Sequence, residues 1–157
     1  MRAMTSWEYY GFLVKEATDI LPLFSPVLVP SLLAALLTTC FALSREKTRK
    51  GHVIAACCIP AIFPAMILLV GVAFFKPGRT AWSPGISDPV PWVSGANIDL
   101  AQQIILGIWF IHITLTVFFA LKSRSGWIAV VCLGILWSVF ILAADFASQE
   151  SITGIWI

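Results

Sequence analysis

The residues of this 157-residue chain whose types could do chemistry are few: two histidines, four cysteines and an aspartate set inside an apolar run. His112 stands alone in "GIWFIHITLTVFFALK", residues 107–122. A neutral imidazole can ligate haem iron or the magnesium of a chlorophyll-type pigment, and it can also relay a proton. Asp145, with Gln103 and Gln102 for neighbours if the last two helices pair, could bind a cation or pass a proton, as acids inside membranes often do. Cys40, Cys57, Cys58 and Cys132 share one depth, about four to seven residues into their helices, which invites a metal site. However, Cys57 and Cys58 are adjacent and point about 100° apart on a helix, and no Cys-x-x-Cys spacing occurs. These cysteines read instead as small apolar packing residues on a reducing side.

What must position these groups follows from composition. The chain is 59% hydrophobic and 11% charged, against roughly 25% charged in soluble domains. Its ten basic and eight acidic side chains could not cover a water-exposed surface without leaving large apolar patches. Lipid is the solvent this composition fits. A hydrocarbon core takes roughly 20 apolar residues in a helix, and four runs of that size are present: 21–43, 53–75, 100–122 and 127–147. Asp145, near the end of the last, is the formal charge within them apart from Lys122, which closes the third. Backbone groups in lipid must satisfy themselves, so runs of this length are helices, and the apolar/polar alternation of a membrane barrel is missing.

The expected fold is therefore all-α, a polytopic membrane protein of four transmembrane helices arranged as two antiparallel hairpins. Arg45, Lys47, Arg49 and Lys50 fall in the basic loop 44–52, and Lys122 and Arg124 flank the tight turn 123–126. The positive-inside rule sets both turns inside. Both termini and the 76–99 loop then lie outside, with the tail 148–157, as expected for a bacterial inner membrane or an organellar inner membrane. Residues 1–20 do not resemble a cleavable signal peptide, because Glu8, Lys15, Glu16 and Asp19 interrupt any apolar region. They are read as an interfacial half-helix formed by Trp7, Tyr9, Tyr10, Phe12, Leu13 and Ala17, or else as a frayed terminus. Pro30, Pro60 and Pro64 lie inside the first two spans and are expected to bend them.

Pairing the last two spans about residues 124 and 125 sets Asp145 opposite Ile104, beside Gln103. It sets His112 opposite Trp137 and Ser138, near the bilayer midplane. An imidazole there is expected to be neutral, since its charged form is costly to desolvate. His52 lies at the inner edge of the second span, about ten residues or roughly 15 Å of helix away in depth, so one chain lacks paired axial histidines for a haem. A dimer supplying His112 twice, or one five-coordinate pigment, would complete such a site. An interhelical hydrogen bond from His112 to Ser138 is the simpler expectation.

No phosphate loop, His-Glu-x-x-His or nucleophile elbow is present, and no soluble module remains to bind nucleic acid. The loop "KPGRTAWSPGISDPVPWVSGANID" is turn chemistry, and its Trp82 and Trp92 could dip into the interface or anchor a partner. The third span is bulky nearly all round and offers Trp109 as a further partner contact. These features point first to a non-catalytic integral subunit of a larger membrane complex, an accessory or scaffold part with no cofactor and no catalytic residue. The alternatives are a homo-oligomeric channel or carrier using Asp145 and Gln103, and a haem- or pigment-binding subunit centred on His112. The expected partners are the lipid bilayer and other membrane subunits or further copies of the chain.

Overall fold

In the computed structural model, residues 6–74 and 95–153 are described, and every element among them is helical. α1 is Ser6–Ile20, α2 Ser25–Ser44, α3 Lys50–Cys58, α4 Ile62–Ala73, α5 Gly95–Lys122 and α6 Trp127–Thr153. Turns of 3-10 helix, Leu21–Phe24, Ile59–Ala61 and Arg124–Gly126, join α1 to α2, α3 to α4 and α5 to α6. Four stretches are long and apolar enough to cross a membrane: Ser6–Ser44, Lys50–Ala73, Ile98–Lys122 and Arg124–Gln149. The last three, of 24 to 26 residues, exceed the roughly 20 residues that a hydrocarbon core requires.

Local chemistry sets the breaks. Pro22 and Pro26 sit in the first positions of the 3-10 turn and of α2, where a missing N–H loses nothing. Pro60 falls in the 3-10 turn that separates α3 from α4, and Pro64 lies in the first turn of α4. The second stretch is therefore interrupted once, at Pro60, and Pro64 sits where a helix has spare donors anyway. Pro30 lies within α2, which continues through it. Between α5 and α6 the reversal is made at Arg124, whose φ of 56° is left-handed. That conformation costs a non-glycine residue roughly 1–2 kcal/mol.

α6 is the axis of the bundle, in contact with α1, α2, α3, α4 and α5. Small residues let its neighbours approach: Ala129, Gly134, Ala143, Ala144, Ala147 and Ser148 are all buried, as expected where membrane-type helices pack by backbone proximity. The clearest case joins α4 to α6. A Cβ at Gly71 would stand 2.9 Å from Ser148 Oγ and 3.1 Å from Leu13 Cδ1, and the Ser148 hydroxyl donates to the Ile67 carbonyl at 3.0 Å. Leu13 is fully buried there, and Tyr9 nearly so. One face of α1 thus packs on the bundle through Tyr9 and Leu13.

Two apolar cores result. One gathers Tyr9, Leu13, Phe63, Ile67, Ile105, Ile108, Ile141 and Ala144 from α1, α4, α5 and α6. The other gathers Ala35, Ala42, Val53, Ala56, Phe119, Val130 and Leu133 at the end carrying the two basic turns. His112 lies between them along α5, and Gly134 and Ser138 lie between them along α6. The tryptophans Trp82 and Trp92 fall outside the described residues.

Close packing at Gly71 yields a directional test. Gly71→Val should lower stability in detergent by about 1–3 kcal/mol, the usual penalty for overpacking. Gly107, with nothing within 4 Å of an added Cβ, should instead gain up to about 1 kcal/mol as Gly107→Ala. Thermal unfolding of the two variants side by side checks both signs.

Candidate functional site

The polar layer is built by residue spacing on two helices. Trp109, His112 and Thr116 fall on one face of α5, and Gly134, Ser138, Asp145 and Gln149 recur at helical intervals along α6. Contacts between Thr116 and Gly134, His112 and Ser138, and Trp109 and Asp145 run in opposite chain directions, so α5 and α6 are antiparallel. Gly134 is required here because an added Cβ would collide with Thr116.

His112 is 1% exposed. Its Nε2 lies 3.2 Å from the Gly134 carbonyl and 3.1 Å from Ser138 Oγ. The Ser138 hydroxyl donates to the same carbonyl at 2.9 Å, and Thr116 donates to the His112 carbonyl at 3.0 Å. A carbonyl only accepts, so the arrangement is satisfied when Nε2 carries the proton and Ser138 accepts from it or shares Gly134 with it. Nδ1 is then a bare lone pair, buried and without a partner among the described residues. The ring is flanked edge-on by Phe63, at 5.7 Å between centroids, and by Trp109, at 6.3 Å.

Asp145 is half-buried, and its partners differ from those the helix pairing sets beside it. Trp109 Nε1 donates to Oδ2 at 3.2 Å, and Gln149 Nε2 donates to Oδ1 at 3.3 Å. Gln103 is exposed, and among the described residues Asp145 makes no hydrogen bond to it. Trp109, expected at a partner surface, is half-buried, with its N–H engaged by Asp145 and its ring against His112. Trp137, expected opposite His112, points elsewhere. Its indole donates to the Cys57 carbonyl at 3.0 Å, next to the break at Pro60, which supplies a donor where the helical pattern changes.

The remaining candidates do not converge. Cys40, Cys57 and Cys58 are exposed, Cys132 is half-buried, and all four are free thiols. His52 packs on Phe119, at 6.2 Å between ring centroids, near the basic end. Among the described residues no group of three or more His, Cys, Asp and Glu could hold a metal ion. Among the described residues of this layer, His112 Nδ1 is the buried side-chain atom left without a hydrogen-bond partner. A macrocycle iron or magnesium held by this histidine would have to take that buried atom.

The tryptophan bond to Asp145 and the Gly71–Ser148 contact were not derivable from helix pairing alone. The available signals were local: Trp109 and His112 are three residues apart, and Asp145 and Gln149 four, spacings that share a helix face. Compared with known proteins, the chain matches no protein-family model, no curated protein and no solved structure.

A double-mutant cycle measures what the layer contributes. His112→Leu and Ser138→Ala, singly and together, should report a coupling of about 0.6 kcal/mol and no more than about 1.7. Coupling near zero in detergent unfolding would show that the hydrogen bond at 3.1 Å does not hold α5 to α6.

Proposed function

We propose that the chain is an integral membrane protein, with both termini on the outer side of a bacterial or organellar inner membrane, that serves as a non-catalytic subunit of a larger membrane assembly. One contrast across α5 carries this reading. Toward the bundle, its His112, Thr116 and Trp109 are engaged with α6 or with their own helix. Away from the bundle, Leu106, Phe110, Ile113, Val117 and Leu121 form one unbroken apolar stripe, with Phe110 71% and Leu121 79% exposed. These five recur at helical spacing on the face opposite Ala101, Ile105, Ile108 and His112.

The inward groups perform structural work, and the outward stripe suits lipid or another membrane helix. A hetero-complex explains both, since the chain then contributes surface and shape. The half-buried Asp145 favours a second reading, a homo-oligomeric channel or carrier in which α5 stripes meet and the Trp109–Asp145 pair borders a path for a small ion.

Native purification followed by mass spectrometry separates the two. The proposal expects the chain to remain in membranes through alkaline carbonate and to co-purify at fixed stoichiometry with at least one different membrane protein. A homo-oligomer with ion flux in liposomes, abolished by Asp145→Asn, would favour the channel. A chain released by carbonate would overturn the membrane reading.

A further inference from the structure

Among the described residues, basic charge is concentrated at the end of the bundle that carries the two short turns. Two turns meet there. The Thr48 hydroxyl is 2.8 Å from that of Ser125, and Gly126 lies so close that an added Cβ would be 2.8 Å from Thr48 Cγ2 and 2.9 Å from Val53 Cγ2. This docking brings the loop between α2 and α3 against the turn between α5 and α6. It sets Arg45, Lys47, Arg49, Lys50, Lys122 and Arg124 at one end of the bundle, all exposed. Glu46 is the one carboxylate in these two turns, and among the described residues none of the six cations is in an ion pair. The recorded pair is Lys15 with Asp19 at 3.5 Å, on α1.

Two features give this charge a shape. Arg45, Glu46, Lys47 and Ser125 line a cleft of about 290 Å³ open to the outside. The Arg45 guanidinium also sits over the Phe41 ring, 4.3 Å from its centroid. Phe41 begins a ridge on α2 that continues one turn at a time through Leu37 and Leu33, at 58%, 72% and 55% exposure. Cation, hydroxyl and apolar ridge are therefore continuous, in the order headgroup then tail.

We infer that this end binds an anionic phospholipid, its phosphate held in the cleft by Arg45, Lys47 and Ser125 and its acyl chain lying along Phe41, Leu37 and Leu33. The inference rests on the membrane reading. A free phosphate would use the cleft but leave the ridge empty. An acidic protein segment would use the cations without needing a ridge aligned with the helix axis. A phospholipid uses both, and basic residues at the ends of membrane helices attract anionic headgroups by about 1 kcal/mol each, which is roughly fivefold in affinity.

The test uses the full chain in neutral detergent, titrated with phosphatidylglycerol or phosphatidylcholine of the same acyl chains and read by native mass spectrometry. The expected result is preferential retention of phosphatidylglycerol that excess inorganic phosphate does not displace. Arg45→Gln and Lys47→Gln should each weaken it roughly fivefold, Arg45→Lys should retain most of it, and Lys15→Gln should leave it unchanged. Exposed positions should leave the melting temperature intact, which checks that lost binding is not lost folding. Equal retention of the two lipids, displacement by inorganic phosphate, or an equal loss in Lys15→Gln overturns the inference. A chain that stays in carbonate-washed membranes yet shows no headgroup preference overturns this inference alone.

Discussion

A polar atom left without a partner in an apolar interior costs about 1–3 kcal/mol, and the bonds between helices here fall where the sequence puts such atoms. Ser148 donates to the Ile67 carbonyl and thereby ties α6 to α4. Trp137 donates to Cys57 beside the Pro60 break, tying α6 to α3. His112 reaches Gly134 and Ser138, and Trp109 reaches Asp145, which together tie α6 to α5 at two depths. In each bond α6 supplies one partner, so the helix with the most neighbours is also the helix that satisfies them.

Small side chains make that possible. Gly134 admits Thr116, and Ser148 faces Gly71, so backbones approach where the hydrogen bonds form. The rest of the interior divides into two apolar cores on either side of the His112 layer. Apolar contacts alone leave helix register loosely defined, because one aliphatic face slides over another at little cost. A carbonyl, a hydroxyl and an imidazole that must meet define one register, which is the best-attested role of buried polar groups.

Much of the architecture was readable from the sequence because lipid-like runs are long and charge marks their ends. The helical class and the four apolar stretches follow from composition and run length. The meeting of His112 with Ser138 follows from antiparallel counting about a tight turn. Asp145 shows where counting fails. Depth sets it level with Gln103, but rotation about the helix axis decides which face it presents, and the structure turns it to Trp109 and Gln149. Pro64 fails for a related reason: a proline inside an apolar run bends a helix only if the helix is already continuous there, and the break at Pro60 makes Pro64 part of a new first turn. In α1 the sequence marks Tyr9 and Leu13 as members of an apolar helix face, but not the neighbour they meet, which is the core formed with α4, α5 and α6.

Function follows from which groups remain available once the bundle has satisfied itself. Among the described residues, the buried side-chain atoms left without a partner are Thr39 Oγ1 and His112 Nδ1, while the α5 stripe and the basic end lie exposed. The stripe is where the proposed role as a subunit is most exposed to contradiction. A photo-crosslinking residue placed at Phe110, in the native membrane, measures what lies against it. The account predicts a discrete adduct with one other membrane protein, lost when the probe is moved to the buried face at Ile105. Adducts with lipid alone would contradict it.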